Sequence, residues 1–577
     1  MQLLNRLFHF VETLPPSDRL LFKTVVSVSF VLLVVVGASW SKHTMISVPE
    51  KGGSLTEGVI GTPRFINPLL AATSADKDMV SLLYSGLMRL GPDGVLVPDM
   101  AESVTPSSDG LTYNVILKNN LQFHDGSPVT TDDVIFTISH AQDPALKSPL
   151  KGRWQGVTME RISDREMNFV LSQPYTPFLE SLTIGILPHV IWDTATVDEI
   201  PFSQHNSEPI GSGPYTIKSI TRNRSGIPES YTLIPFKKYY GHIPFIEKLT
   251  IMFFSNEDSL GNALLAHKID SAADLSPALI GKVMEKPAAK EYYTLYRTPL
   301  PRTFVLFFNQ NENPALRDDA VREALSIAVD RERIVREVLG GYGHPIDGPL
   351  PPGFGFDNTY TATTTSNLAR LDTARDILRN GGWKINDTTG LWEKKSGADT
   401  LQLKFSISTI NTASFEGTAE LLQNTWSELG VAVDVKKFEQ SDFTQSVIRP
   451  RKYDALLFGT AVGRELDFYS FWHSSQRSDP GLNVALYANA VTDSILGDAR
   501  ANMDPDSRNA SYLKFADEIR TDIPALFLYV PEFTYIAPHT IQDISFTGLA
   551  SPNERFSRIG EWYKNTESIW PRFFRIQ

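Results

Sequence analysis

The sequence predicts an α/β fold in which mixed β-sheets are shared among several lobes, preceded by a single transmembrane helix. Three observations predict it. The chain has 577 residues, and at roughly 100–200 residues per domain that is about three units. Strand-like and helix-like pieces alternate along nearly the whole chain, with no internal repeat and no low-complexity stretch. One uncharged apolar run stands near the N-terminus, and no second run of comparable length follows.

That run, "TVVSVSFVLLVVVGASW" (Thr24–Trp40), is 17 residues without a charge. At 1.5 Å per residue it spans about 26 Å. Leu20–Phe22 extend it towards the ~30 Å of a hydrocarbon core, with Lys23 able to snorkel. Arg6, Arg19 and Lys23 precede it, and Lys42 and Lys51 follow, a thin positive-inside bias. A cleaved signal peptide is the rival reading, because Gly37, Ala38 and Ser39 are small. The 23 leading residues and the lack of a clean small-x-small site favour an uncleaved anchor. The expected order is a cytoplasmic tail (1–23), a transmembrane anchor (24–40), a linker (41–51) and a body outside the cytoplasm.

Along the body, "GVLVPDMAE", "LTYNVIL" and "MNFVLSQP" read as strands of one mixed lobe. In Leu111–Leu117, Leu111, Tyr113, Val115 and Leu117 alternate with Thr112, Asn114 and Ile116, the period of a half-buried strand. "DGSP" (Asp125–Pro128) is turn chemistry. Thr130 or Thr131 then offers a cap, Asp132 and Asp133 suit the first turn, and Val134, Ile135 and Ile138 give the helix an apolar face. "PIGSGPYTIKSI", "YTLIPFKKYYG" and "KLTIMFF" continue a β-rich stretch. "DSLGNALLAHKIDSAAD" is helical to His267 and then a short strand. "RTFVLFFNQ" (Arg302–Gln310) is an apolar strand. "ALRDDAVREALSIAVDRERIVREVL" reads as one strong helix with Val321, Leu325, Ala328 and Val329 on a face. "LDTARDILRNGGW" is a helix with Gly381 at its C-cap. "LQLKFSIST", "TAELLQNTWSELG" and "VAVDVKKF" form a βαβ unit. "DIPALFLYVPEFTYIAP" reads as two strands.

Composition narrows the chemistry. The net charge of −12, without a basic stripe, argues against nucleic-acid binding. With no cysteine, disulfides, thiolate metal sites, cysteine nucleophiles and a lipidated cysteine anchor are all excluded. None of the 11 histidines has another at i+3 or i+4. His124 reads as a turn or surface histidine, not a ligand or base. No G-x-S-x-G elbow or phosphate loop occurs, and "GGYGHP" (Gly340–Pro345) follows a helix, so it reads as a plain loop. No cofactor is implied and nothing argues for an enzyme.

Several segments, in order, carry a resemblance. They are "MAESVTPSSDGLTYNVILKNNLQFHDGSPVTTDDVIFTI" (Met100–Ile138), "IGSGPYTI" (Ile210–Ile217), "ALLAHKID" (Ala263–Asp270), "FFNQNENPALRDDAVREALSIAVDRERIV" (Phe307–Val335), "WSELGVAVDV" (Trp426–Val435), "KYDALLFG" (Lys452–Gly459), "LYANAVTDSIL" (Leu486–Leu496) and "RNASYLKFADEIRTDIPALFLY" (Arg508–Tyr529). Together they resemble the dipeptide- and oligopeptide-binding proteins (family 5) that serve ABC importers, over about residues 52–570. The resemblance implies a periplasmic-binding-protein-like (type II, cluster C) clamp of three lobes. Lobe I would combine 52–84, 207–300 and 523–577, lobe II would be 85–206, and lobe III 301–522. It implies capture of a peptide or small solute by lobe closure, delivery to the membrane subunits of an ABC permease, no catalysis, and a monomer tethered through its N-terminal helix.

The resemblance also implies where ligand would lie. Ala72, Thr73 and Ser74 would face the cleft from lobe I, and Gly459, Thr460 and Ala461 from lobe III. Thr303 and Phe304 would line it from their strand, and Tyr529 from lobe I, although Phe304 and Tyr529 also read as core aromatics. Peptide-binding members of the family place an aspartate a few residues after the lobe-III glycine, against the peptide amino terminus. Here "GTAVGRELDFYSFW" puts Gly463 or Arg464 at that spacing, and Asp467 falls about three residues late. Arginine cannot hold an ammonium group; Arg464 is expected to suit a carboxylate or phosphate. The alternative function is therefore a surface receptor without a transport role, binding an acidic or non-peptide ligand.

Overall fold

The structure, a computed structural model, describes residues 13, 15–44, 46–356, 360 and 366–569. Residues 1–12 and 14 of the expected tail and 570–577 of the expected lobe I lie outside the described residues, as do the side chains of 34–44 in the expected anchor. The chain divides into two compact units. One holds a 29-residue helix, Pro16–Thr44, and an antiparallel pair, Ile46–Glu50 with Asn565–Ile569. Among the described residues no helix is long and apolar enough to cross a membrane. The other unit runs Ser54–Trp562.

Within the second unit a 12-stranded mixed sheet runs through Ala432–Phe438, Lys404–Ile410, Ala455–Ala461, Arg302–Phe308, Ala525–Pro538, Ser271–Ala273, Ser54–Ile60, Lys248–Phe254, Pro228–Pro235 and Tyr215–Arg222. Tyr293–Pro299 and Gly343–Pro345 also pair with Ala525–Pro538. That segment is one continuous strand of 14 residues, not the two expected from sequence. Its first half pairs with Arg302–Phe308 and its second with Tyr293–Pro299. Pro531, which has no N–H to give a ladder, falls where the partner changes. The chain thus passes between the two halves of the sheet at 299–302 and again at 530–532.

Arg302–Phe308 explains its own composition. Leu306 and Phe308 enter one core with Trp426, while Val305 and Phe307 enter another with Trp472. A strand buried on both faces needs a continuous apolar run. The segment 315–338 is two helices, Asp319–Ala328 and Arg331–Val338, where the sequence suggests one. The break has a local cause. The Asp330 carboxylate accepts the Arg333 N–H at 2.8 Å and restarts the helix. Buried Arg331 donates to the Phe527 carbonyl at 2.7 Å, a contact that a straight helix has no reason to make. The βαβ unit forms as expected: Lys404–Ile410 and Ala432–Phe438 are parallel, joined by the helix Ala413–Leu429. Its C-cap Gly430 has φ +91° and the Gly390 carbonyl 3.0 Å from where a Cβ would stand, so glycine is required there.

A separate four-stranded antiparallel sheet is built from Ala101–Pro106, Thr112–Leu117, Glu166–Leu171 and Val157–Arg161. Tyr113, Val115 and Leu117 are buried, as the alternation requires. The turn and the helix Thr131–Gln142 follow, with Val134 and Ile138 fully buried. Thr130 is the N-cap, and the buried Asp133 carboxylate accepts its backbone N–H at 2.8 Å. The same carboxylate takes the His189 N–H at 2.9 Å and the His189 ring nitrogen at 2.8 Å, so one side chain joins two helices. His124 is a tie as well. Its Nδ1 accepts the Gly211 N–H at 3.2 Å and its Nε2 lies 3.1 Å from the Gly213 carbonyl. That pattern fixes the neutral Nε2–H tautomer, and burial pushes the ring down to about 4.

Candidate functional site

Six of the residues expected at the ligand site share three adjacent strands. Arg302–Phe308 pairs with Ala455–Ala461 so that Thr303 faces Thr460 and Phe304 faces Gly459. Both threonines are buried, and their hydroxyls bond to each other at 2.7 Å. Phe304 is half-buried and stacks on Tyr529 (4.7 Å, 17°), with Phe415 at 5.0 Å on another side. Tyr529 is fully buried, its hydroxyl 3.3 Å from that of Thr418. Of this group, Ala461 is exposed and Phe304 and Gly459 are half-buried, so these three can present surface to a ligand, while Thr303, Thr460 and Tyr529 stand behind them.

Ala72, Thr73 and Ser74 are exposed at the start of the helix Ser74–Leu83. The Asp76 carboxylate takes the backbone N–H groups of Arg64 (2.7 Å), Phe65 (2.8 Å) and Thr73 (3.1 Å), which fixes both this helix end and the loop before it. The helix is held from behind by a buried triad. Arg555 donates to both Asp78 oxygens at 2.7 Å and to Glu57 at 2.9 Å. A buried arginine with two carboxylates fully engaged is a fixed, directional anchor.

Arg464 departs from its expectation. Its side chain is 6% exposed and its guanidinium pairs with Glu554 and donates to the Gly94 (3.2 Å) and Gly548 carbonyls. Its own N–H donates to the Glu180 carboxylate at 3.1 Å. It has a resident carboxylate, so it does not stand open to an acidic ligand in this conformation. Burial raises the Glu554 carboxyl above its usual range, and Arg464 opposes that rise. Gly463, with φ +74°, lets the chain turn against Glu180: a Cβ there would stand 3.0 Å from the carboxylate. Asp467 is likewise engaged, with Arg500 at 3.0 Å and the Ser470 hydroxyl at 2.9 Å. Arg500 lies over the rings of Tyr469 (4.4 Å) and Tyr175 (4.8 Å), and its carbonyl accepts the Thr176 N–H at 3.2 Å. Residues 463–500 therefore pack against 94 and 175–180 through hydrogen bonds and a cation–π contact. Glu180, Glu554 and Arg500 carry no motif; each is reached only through a partner distant in sequence.

A cavity of about 360 Å³ is lined by Gln310, Asn311, Arg477, Tyr487 and Asp522 and shares none of the expected site residues. Among the described residues no group of three His, Asp or Glu side chains is arranged to hold a metal ion.

Comparison with known proteins gives this arrangement of a long mixed sheet and a second antiparallel sheet a lineage. Residues 95–480 match the model of the bacterial extracellular solute-binding proteins, family 5 (middle region). The chain belongs to this family. Its members are substrate-binding proteins of ABC transporters, not enzymes. The chain is 26% identical over 552 residues to the oligopeptide-binding protein AppA of Bacillus subtilis, covering 93% of this chain and 98% of that one. The structure of that AppA bound to a nonapeptide superimposes with a TM-score of 0.69, over 90% of this chain and all of the other. NikZ of Campylobacter jejuni, solved with Ni(L-His), is 25% identical with a TM-score of 0.68, over 89% of this chain and 99% of that one.

Proposed function

We propose that this family 5 protein is a membrane-anchored, extracytoplasmic receptor that captures peptides by lobe closure and hands them to an ABC permease. The observation that carries the reading is its match to an oligopeptide-binding protein over nearly the full length of both chains. The three lobes divide at 84/85, 206/207, 300/301 and 522/523. Lobe I presents Ala72, Thr73 and Ser74, and lobe III presents Phe304, Gly459 and Ala461. Thr303, Thr460 and Tyr529 hold these in position.

In such a device no bond is made or broken. Ligand contacts that exist only when the lobes are closed shift the open–closed equilibrium. An extended peptide held through its backbone needs little from its side chains, which suits a receptor of broad preference. The apolar run Thr24–Trp40 supports a single-pass anchor with the body on the outer side. The engagement of Arg464 and Asp467 with other side chains supports an amine-binding arrangement different from that of free-amine peptide receptors. NikZ, with its metal–histidine ligand, supports a second reading in which the ligand is a small non-peptide solute.

The test is small-angle scattering on the full-length protein in detergent, with and without a mixture of random tetrapeptides. A smaller radius of gyration with peptide is expected. An unchanged radius with peptides, and a smaller one with a metal–histidine complex, would replace the first reading with the second.

A further inference from the structure

The loop "GGYGHP" (Gly340–Pro345), which carries no enzyme motif, has a definite place in the fold. Gly343–Pro345 pairs with 529–531, on one side of the passage between the two halves of the long sheet. Tyr293–Pro299 pairs with 532–538, on the other side. Glycine is required at 343: a Cβ there would stand 3.0 Å from the Val530 carbonyl and 2.7 Å from the Leu339 side chain. The loop is thereby pressed against the strand Ala525–Pro538 where that strand changes partners.

Four contacts tie the loop across the passage. The Glu532 N–H donates to the Tyr342 carbonyl at 3.2 Å. Arg297 donates to the Gly341 carbonyl at 2.7 Å. The same guanidinium lies 4.8 Å from the centre of the Tyr342 ring, which packs against the core around Leu264 and Tyr293. Finally, His344 Nε2 lies 3.1 Å from one oxygen of the Glu532 carboxylate, whose other oxygen accepts from Arg297 at 2.6 Å. Glu532 is therefore shared between a strand on one side and the loop on the other. Its side chain is 8% exposed. Burial pushes its carboxyl up, but His344 and Arg297 outweigh burial and hold it below the usual carboxylate range. Among the described residues His189–Asp133 and His473–Asp493 are also histidine–carboxylate pairs, and neither spans the passage.

The charges around His344 can be named element by element. Glu532 is the one acid in Ala525–Pro538, and Arg297 is the one cation in Tyr293–Pro299. In the neighbouring helix Arg331–Val338, Arg331 is committed to the Phe527 carbonyl, Arg333 and Arg336 lie against Glu337, and Glu332 completes the set. Histidine is the side chain whose charge changes between pH 5 and 8. Protonated, His344 makes an ion pair with Glu532, and neutral, it keeps only a hydrogen bond. We propose that Arg297, Tyr342, His344 and Glu532 form a clasp across the hinge of the long sheet, and that protonation of His344 tightens it. A tight clasp holds the angle between the two halves, and a loose one lets it vary. The clasp belongs to the unliganded chain, so it stands or falls apart from the identity of the ligand.

The experiment is hydrogen exchange, read by mass spectrometry, on the full-length protein in detergent without ligand at about pH 5.5 and about pH 8. Protection factors divide out the intrinsic pH dependence of exchange. Relative to the remote strand Thr112–Leu117, segments 341–345 and 530–534 are expected to be about five-fold more protected at the lower pH, the size of one partly exposed ion pair. The difference should disappear in His344→Gln, which has no charge to gain. Equal protection at the two pH values in the native protein would overturn the clasp, and so would a difference that persists in His344→Gln. The native series stands even if the variant fails to fold. Because the chain has no cysteine, spin labels can be placed at Lys218→Cys and Asp434→Cys, exposed on the two outermost strands of the long sheet. Their distance distribution, by double electron–electron resonance, should be narrower at the lower pH. Identical distributions would overturn the hold on the angle between the halves.

Discussion

Asp99 shows how much a single buried carboxyl can report. It is 6% exposed, and burial pushes it up to about 6, with Arg89 at 3.6 Å lowering it only in part. The unfolded chain holds its proton less tightly, near 3.9. The contribution of Asp99 to stability is therefore fully present below about pH 4 and is lost as pH rises through about 6. Asp99→Asn removes that loss. Its stability relative to the native protein should rise by up to about 3 kcal/mol between pH 4 and 8, at roughly 1.4 kcal/mol per unit. Urea denaturation at the two pH values checks this. Arg464 gives the complementary case. Arg464→Gln leaves the Glu554 carboxylate buried without its partner, which costs on the order of 3 kcal/mol at pH 8. Because burial already favours the protonated form of Glu554, the loss should be smaller at pH 5. Sequence could not supply the partner of Arg464, since Glu554 lies 90 residues away. Ion pairs between distant segments leave no local pattern to read.

At the scale of elements, the strand–turn–helix from Leu111 to Gln142 was legible because each part has local chemistry: alternation, an Asp-Gly turn and acids in the first turn. The break at Asp330 was not, because the apolar face runs through it and only the cap and the Arg331 contact reveal it. Nor was the continuity of Ala525–Pro538, since Pro531 reads as a strand end until both partners are known. Two expectations follow here. Asp133→Ala removes the acceptor for Thr130 and for both His189 donors, and should cost about 2–3 kcal/mol by denaturant titration. His124, held neutral with its ring pushed down to about 4, contributes stability that is present above about pH 6.5 and lost as pH falls through about 4. In a His124→Gln variant that part of the acid destabilisation should vanish from the pH–stability profile.

For the whole molecule, the contacts of 463–500 with 94 and 175–180 are those a closed clamp would make and an open one would break. Glu180→Gln weakens the hold on the Arg464 N–H without touching the expected ligand-facing residues. Ligand should then leave several-fold faster, with little change in its rate of arrival, as seen by stopped-flow fluorescence. The family was readable from the ordered series of segments, and the sheet order and crossing strands supply the architecture those segments share. The most direct measurement is native mass spectrometry of the full-length protein, purified in detergent without refolding. Co-purified masses that fragment as peptides are expected. A bare protein that also ignores a broad peptide mixture would contradict it.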